Sequence, residues 1–246
     1  MSRSIAAIAA VVACLHAPAG AILIRHDKAD ADYRTLGERY PAVGSFGRAG
    51  TGALVGDRWV LSAAHVIAGM WKDATFGLGD RRYRIEERIA HPDWKEMGAS
   101  DIALVRLGEA VDGIVPLRIY VKDDEAGMPI VFVGFGGTGT GETGPQRPED
   151  GLKRGATNTV DRADRDWLFS DFDAPGPGAT EFEGISGPGD SGGPAILDKD
   201  GVSYVVGVSV YGKPGARGRG TYGAEEGYTR VSTHARWIME QIGGHP

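Results

Sequence analysis

Gly189-Asp190-Ser191-Gly192-Gly193-Pro194 sets a serine among glycines and closes on a proline. Ordered glycine costs backbone entropy, so a cluster of it points to unusual dihedrals or a close approach to the backbone. Consecutive N–H groups in such a turn can converge on one point, which suits a developing oxyanion. The hydroxyl between them is a candidate nucleophile. Taken alone, the hexapeptide is also ordinary loop chemistry. Its meaning depends on whether the rest of the chain supplies a base and an acid.

The chain around it has 246 residues, 41% of them hydrophobic, enough to bury a core as one large domain or two small ones. Its 39 glycines and 8% aromatics, without a collagen or solenoid period, favour many turns and an all-β architecture. A net charge of −6 argues against nucleic acid or an anionic membrane as the main partner. Arg3 precedes an apolar run from Ile5 to Leu15, and small residues follow at Ala17, Ala19 and Ala21. Residues 1–21 therefore read as a signal peptide, cut after Ala19 or Ala21, which makes the mature protein secreted or periplasmic. The run is short for a bilayer span. Val11-Val12-Ala13-Cys14 loosely resembles a lipobox, so lipidation at Cys14 is the alternative that would hold the chain at a membrane. Cys14 is the one cysteine, and a chain cut beyond it has no disulfide to form.

Downstream, Asp27, Asp30 and Asp32 read as a solvated charged turn; their spacing lacks the later Gly and Glu of a calcium loop. From Ala42 onward short apolar runs alternate with turn signals, as in antiparallel strands. Gly52–Val55 and Trp59–Ser62 flank a short hairpin connection, and the second runs directly into Ala63-Ala64-His65. Further strands read at 83–90, 102–107, 129–135, 153–160, 167–172, 203–210 and 227–231. Residues 120–127 look like a linker between halves, and Gly136–Gly151 like a long exposed loop. Ala235, Ile238, Met239 and Ile242 keep helical spacing behind a Ser/Thr cap, the one helix the pattern supports. His26, His91 and His234 read as surface or strand-end histidines.

His65, Asp101 and Ser191 then form a set. A serine hydroxyl is a poor nucleophile at neutral pH and needs an adjacent base. Histidine suits that task because its ordinary pKa lies near working pH. A carboxylate on its other ring nitrogen fixes the tautomer and stabilises the imidazolium. Leu61-Ser62-Ala63-Ala64-His65, Asp101-Ile102-Ala103-Leu104 and Gly189–Pro194, in that order, resemble the three signature stretches of trypsin/chymotrypsin-like serine proteases. Trp59-Val60 and Gly227-Tyr228-Thr229-Arg230-Val231 extend the likeness, which runs from about Gly44 to the C-terminus. Gly189 to Gly193 also fits the elbow of α/β-hydrolases, but those enzymes run Ser, acid, His, whereas this chain runs His65, Asp101, Ser191.

The resemblance implies two antiparallel six-stranded β-barrels, about 36–121 and 122–231, and a C-terminal α-helix at about 232–242. It implies that Ser191 is the nucleophile, His65 the base and then the acid, and Asp101 the residue that orients His65. The N–H groups of Gly189 and Ser191 become the oxyanion hole. Tyr211 and Gly212 lie on the strand that pairs with substrate backbone, where Val210 occupies a position that usually holds a serine; Ser209 is one residue away. Ile185 stands at the base of the primary pocket, followed by Ser186, with Glu225 or Glu226 on the wall. An inward Glu226 favours basic side chains, whereas a solvent-facing one leaves the pocket neutral; glutamate is usually exposed, which favours the neutral pocket. Asp190 is expected to pair with a new N-terminal ammonium at Ile22, released by signal cleavage, or else with another partner over a flexible N-terminus. The expected function is a secreted, monomeric serine endopeptidase acting on protein or peptide, with no cofactor and no metal. A catalytically idle binding module and an esterase on the same fold are the alternatives.

Overall fold

The computed structural model describes residues 22–96, 98–146 and 150–243. The signal-peptide expectation, its cleavage sites and Cys14 fall outside the described residues. A six-stranded barrel and an eight-stranded sheet carry the fold, in place of the expected two six-stranded barrels. The first comprises β1 (Val43–Ser45), β2 (Thr51–Gly56), β3 (Trp59–Ser62), β4 (Thr75–Leu78), β5 (Arg81–Ala90) and β6 (Ala103–Leu107), closed into a barrel in the order β1-β2-β3-β6-β5-β4. The second comprises β7 (Pro129–Gly134), β8 (Arg154–Thr159), β9 (Trp167–Asp171), β10 (Pro194–Lys199), β11 (Val202–Lys213) and β12 (Glu225–Arg230), ordered β8-β7-β10-β11-β12-β9, with the two-residue strands Arg162–Ala163 beside β9 and Arg118–Ile119 on β11.

The second sheet curls without closing its backbone ladder. Side chains bridge the gap instead: Asn158 of β8 donates to the Asp171 carbonyl at 2.8 Å, and Ser170 Oγ of β9 donates to the Thr159 carbonyl at 2.7 Å. Apolar positions alternate inward along these strands, and Phe132 stacks on Tyr228 at 4.7 Å between ring centres. The core of the first barrel is continuous with Val133, Ile196 and Val208 of the second sheet. A shared apolar interior thus fuses the two halves, with the cleft above it.

Three helices accompany the sheets: α1 (Asp30–Glu38), the single-turn α2 (Ala64–Ala68) and α3 (Val231–Ile242). α1 corrects the expected charged turn. Tyr33 and Leu36 bury its inner face, and Asp30 holds Arg154 through two hydrogen bonds of 2.5 and 3.0 Å. Asp27 pairs with Arg25, so neither carboxylate is open to a cation. α3 lies where its spacing put it and ends on Gly243 at φ 72°. Its N-cap, however, is Arg230 with no side-chain cap bond, because Ser232 Oγ donates to buried Glu125 at 2.8 Å.

Two other readings change. Part of the supposed loop is a small sheet in which Gly139–Thr140 pairs with Gly144–Pro145 and with Leu23–Ile24, and the latter pairs with Gly184–Ile185. The histidines have partners: the His26 ring lies 2.8 Å from Tyr222 OH, and buried His234 packs edge-on against His91. Among the described residues no helix is long and apolar enough to cross a membrane.

Candidate active site

β3 and β6 are neighbours with Ser62 opposite Ala103. Three residues past that pair on one strand stands His65; two residues before it on the other stands Asp101. Antiparallel pairing therefore delivers both to the same end of the barrel. Asp101 is fully buried and holds His65 at two points. His65 Nδ1 lies 2.7 Å from Oδ2, and the His65 backbone N–H donates to Oδ1 at 2.9 Å. A buried carboxylate at Nδ1 keeps the proton on that nitrogen, which leaves Nε2 with a free lone pair. Thr229 Oγ1 donates to the Asp101 carbonyl at 3.1 Å and ties the acid to β12 of the other half.

Ser191 comes from the loop between Gly184–Ile185 and β10, and the first barrel pins it. Thr51 N–H donates to the Ser191 carbonyl at 2.9 Å. Gly192, at φ 80°, packs so closely that a Cβ there would lie 2.1 Å from Ser62 Oγ. Gly189 has φ 96°. Both are glycine because L-residues rarely adopt such dihedrals. Neither the Gly189 N–H nor the Ser191 N–H has an acceptor among the described residues, so both are free to face a ligand oxygen. No hydrogen bond joins Ser191 Oγ to His65 Nε2 in this structure, a looseness common in ligand-free catalytic sites.

Asp190 turns inward. Its Oδ1 accepts the Gly136 N–H at 2.6 Å, and its Oδ2 accepts those of Gly187 at 2.7 Å and Ile22 at 3.0 Å. Burial outweighs these donors and pushes the carboxyl up to about 6. Ile22 is fully buried at φ 55°, an uncommon conformation for a β-branched residue.

Beside the turn lies a cavity of about 60 Å³ lined by Ile185, Ser186, Ser209, Tyr211, Gly212 and Glu226. Glu226 is 3% exposed, so the side chain does not face solvent as expected of a glutamate. Its Oε2 accepts the Ser186 N–H at 2.7 Å and its Oε1 the Ser209 hydroxyl at 2.6 Å. Burial pushes this carboxyl up to about 7. Ser209 is therefore committed to Glu226 and not to Asp101, because β11 carries an irregularity at Val210 between Ser209 and Tyr211. The Tyr211 ring fills the space over Gly227, where a Cβ would sit 2.3 Å from it. Sequence reading missed Tyr228, whose hydroxyl lies 2.8 Å from Ser186 Oγ. Strand alternation in β12 held that signal: Glu226, Tyr228 and Arg230 share one face.

A family model described as Trypsin matches residues 33–238. Serine protease 41 of Homo sapiens is 27% identical over 222 residues, covering 76% of this chain and 66% of the relative. Melanization protease 1 of Drosophila melanogaster is 29% identical over 237 residues, covering 78% and 57%. The calcium-dependent serine proteinase of Mesocricetus auratus is 31% identical, with 80% of this chain on 32% of that one. The chain thus spans between about a third and two thirds of the length of these relatives. Among solved structures, neuropsin, a serine protease expressed in the limbic system of mouse brain, superposes with a TM-score of 0.60. That match has 22% identity and covers 84% of this chain and 96% of the other, which speaks to the fold.

Proposed function

The chain belongs to the trypsin family of serine proteases, and from that premise we propose that it is a secreted serine endopeptidase acting through Ser191, His65 and Asp101. Ser191 Oγ attacks the scissile carbonyl carbon and gives its proton to His65 Nε2. Asp101 stabilises the imidazolium through Nδ1, and the oxyanion sits between the N–H groups of Gly189 and Ser191. As the C–N bond breaks, Nε2 returns the proton to the leaving amine, and an acyl ester on Ser191 remains. Water then attacks that ester with His65 again as base. The observation that carries this reading is the two-point hold of His65 by buried Asp101, beside a serine turn with two uncommitted N–H donors.

A fluorophosphonate probe is expected to label the processed protein, and Ser191→Ala to remove the label. An unlabelled wild type defeats the enzyme reading in favour of a binding module. Faster ester than peptide hydrolysis across a library would make it an esterase.

Two finer assignments follow from the geometry. Glu226 at the wall of the pocket makes arginine and lysine the preferred residues before the scissile bond, through a desolvated charge pair. Cleavage after Ala21 would turn the Ile22 N–H beside Asp190 into an ammonium, so export itself would complete the site. N-terminal sequencing of the secreted form checks this, and a start other than Ile22 removes the idea.

A further inference from the structure

Apart from the Glu226 cavity there is a second, larger hollow of about 450 Å³. Ser45, Arg81, Arg82, Phe135 and Lys153 line it, and among the described residues the one carboxylate is Asp80. It sits in the seam between the halves, where β1 and β4 of the first barrel face the chain around β7 and β8 of the second. None of its residues lines the specificity cavity.

The hollow leads to Ser191 through two short pieces of chain. From Ser45 the backbone reaches Gly50 and Thr51 within six residues, and Thr51 holds the Ser191 carbonyl at 2.9 Å. Phe135 precedes Gly136, whose N–H holds Asp190 and whose missing Cβ would lie 2.7 Å from the Gly189 carbonyl carbon. The Glu226 cavity is lined by Ser191 itself, whereas the hollow reaches the serine turn through this different pair of neighbours, so a polypeptide lying across Ser191 has a separate site on each.

Its charge is unusual for a chain of net charge −6. Arg81 is paired with Glu109 at 3.1 Å, but among the described residues Arg82 and Lys153 join no ion pair. Lys153 is half-buried; its Nζ donates to the Tyr40 carbonyl at 2.8 Å and lies 5.5 Å from the Phe135 ring. Burial lowers its pKa to about 8, against the opposing charge of Glu38. A cation withdrawn from water without a counter-ion is costly, and an incoming carboxylate relieves that cost.

Resting on the protease reading, we infer that this hollow binds acidic side chains of a polypeptide substrate on the leaving-group side of the scissile bond. Arg82 and Lys153 supply the charge, and Phe135 supplies an apolar wall for the methylenes of aspartate or glutamate. The specificity of the protein is thus two-sided, a cation before the cut and anions after it.

Three substrates sharing one sequence before the scissile bond test this: a short one ending in a chromogenic amine, and two peptides carrying either Asp/Glu or Ser/Ala at the second to fifth positions after it. The acidic peptide is expected to show a kcat/KM roughly five- to tenfold above the neutral one, as two partly screened charge pairs would give. The advantage should fade as ionic strength rises from about 0.05 to about 0.5 M. Arg82→Glu, at an exposed position the fold tolerates, should abolish it and leave the rate on the short substrate as it was. Lys153→Met should reduce it. Equal rates for the two peptides with wild type, or an advantage that survives Arg82→Glu, overturn the inference. Hydrolysis of none of the three removes the protease reading itself, and the inference with it.

Discussion

On the proposed specificity, Glu226 has two tasks that compete. It must stay buried enough to shape a narrow cavity, yet ionise to receive a cation. Burial holds its proton until about pH 7, so the free protein gains the carboxylate only as pH rises through that value. Turnover of substrates with arginine or lysine before the cut is therefore expected to rise more steeply through neutrality than turnover of neutral substrates. The ratio of the two kcat/KM values should climb with pH. A flat ratio would show that Glu226 does not meet the substrate. Glu226→Gln should cost basic substrates about 2 kcal/mol, or roughly 30-fold, and leave neutral ones little changed. The direction of this side chain was not legible from composition, because glutamates on the surface vastly outnumber buried ones. His65, Asp101 and Ser191 stand out as candidates because each brings its own neighbours: a strand end, a buried strand and a glycine turn. Ser209 was not, since a one-residue irregularity in β11 decides where its hydroxyl goes.

Elements were read well where their pattern was long and poorly where a distant partner decides. α3 has its full stripe of apolar residues. α1 has only Tyr33 and Leu36 to bury among many charges, and its acids look like solvent-facing residues until Arg154 arrives from 124 positions away. The side chain of Arg154 is 3% exposed and is gripped by Asp30 and Asp150. Removing both acids leaves a buried guanidinium without compensation. Asp30→Asn together with Asp150→Asn is expected to lower stability by about 3–5 kcal/mol, and adding Arg154→Met should restore most of it. Urea melts of the double and triple variants measure both. Equal midpoints for wild type and the double variant would mean that the network holds nothing. The small sheet of Leu23–Ile24 escaped sequence reading for a similar reason: its strands are two residues long and draw on three separate parts of the chain.

Among the described residues three buried carboxyls have their proton affinity raised by burial, Asp190 and Glu183 to about 6 and Glu226 to about 7. For such groups the folded state keeps protons that the unfolded chain has already lost. Their contribution is fully present below about pH 4 and is lost as pH rises through 6 to 7. With Ile22 still joined to residue 21, the Tm of a Ser191→Ala protein is expected to fall over that window, and Asp190→Asn should flatten the slope. A Tm independent of pH between 4 and 7 for both proteins contradicts this. The two-halved architecture itself was legible, because strand runs recur on both sides of residues 120–127. The curl of the second sheet was not, since Asn158 and Ser170 close it with side chains that no strand pattern announces.

The contact between Ile22 and Asp190 joins residues 168 apart. Closing so long a loop costs more entropy than any neighbouring hairpin, so in the order of folding it comes after the barrels that frame it. A chain refolding from denaturant would accordingly recover its buried tyrosines and its compact shape first. In the proposed enzyme, competence at Ser191 would come last, when Ile22 reaches the aspartate beside it. The interval between the two would be a time during which the proposed enzyme is folded but idle.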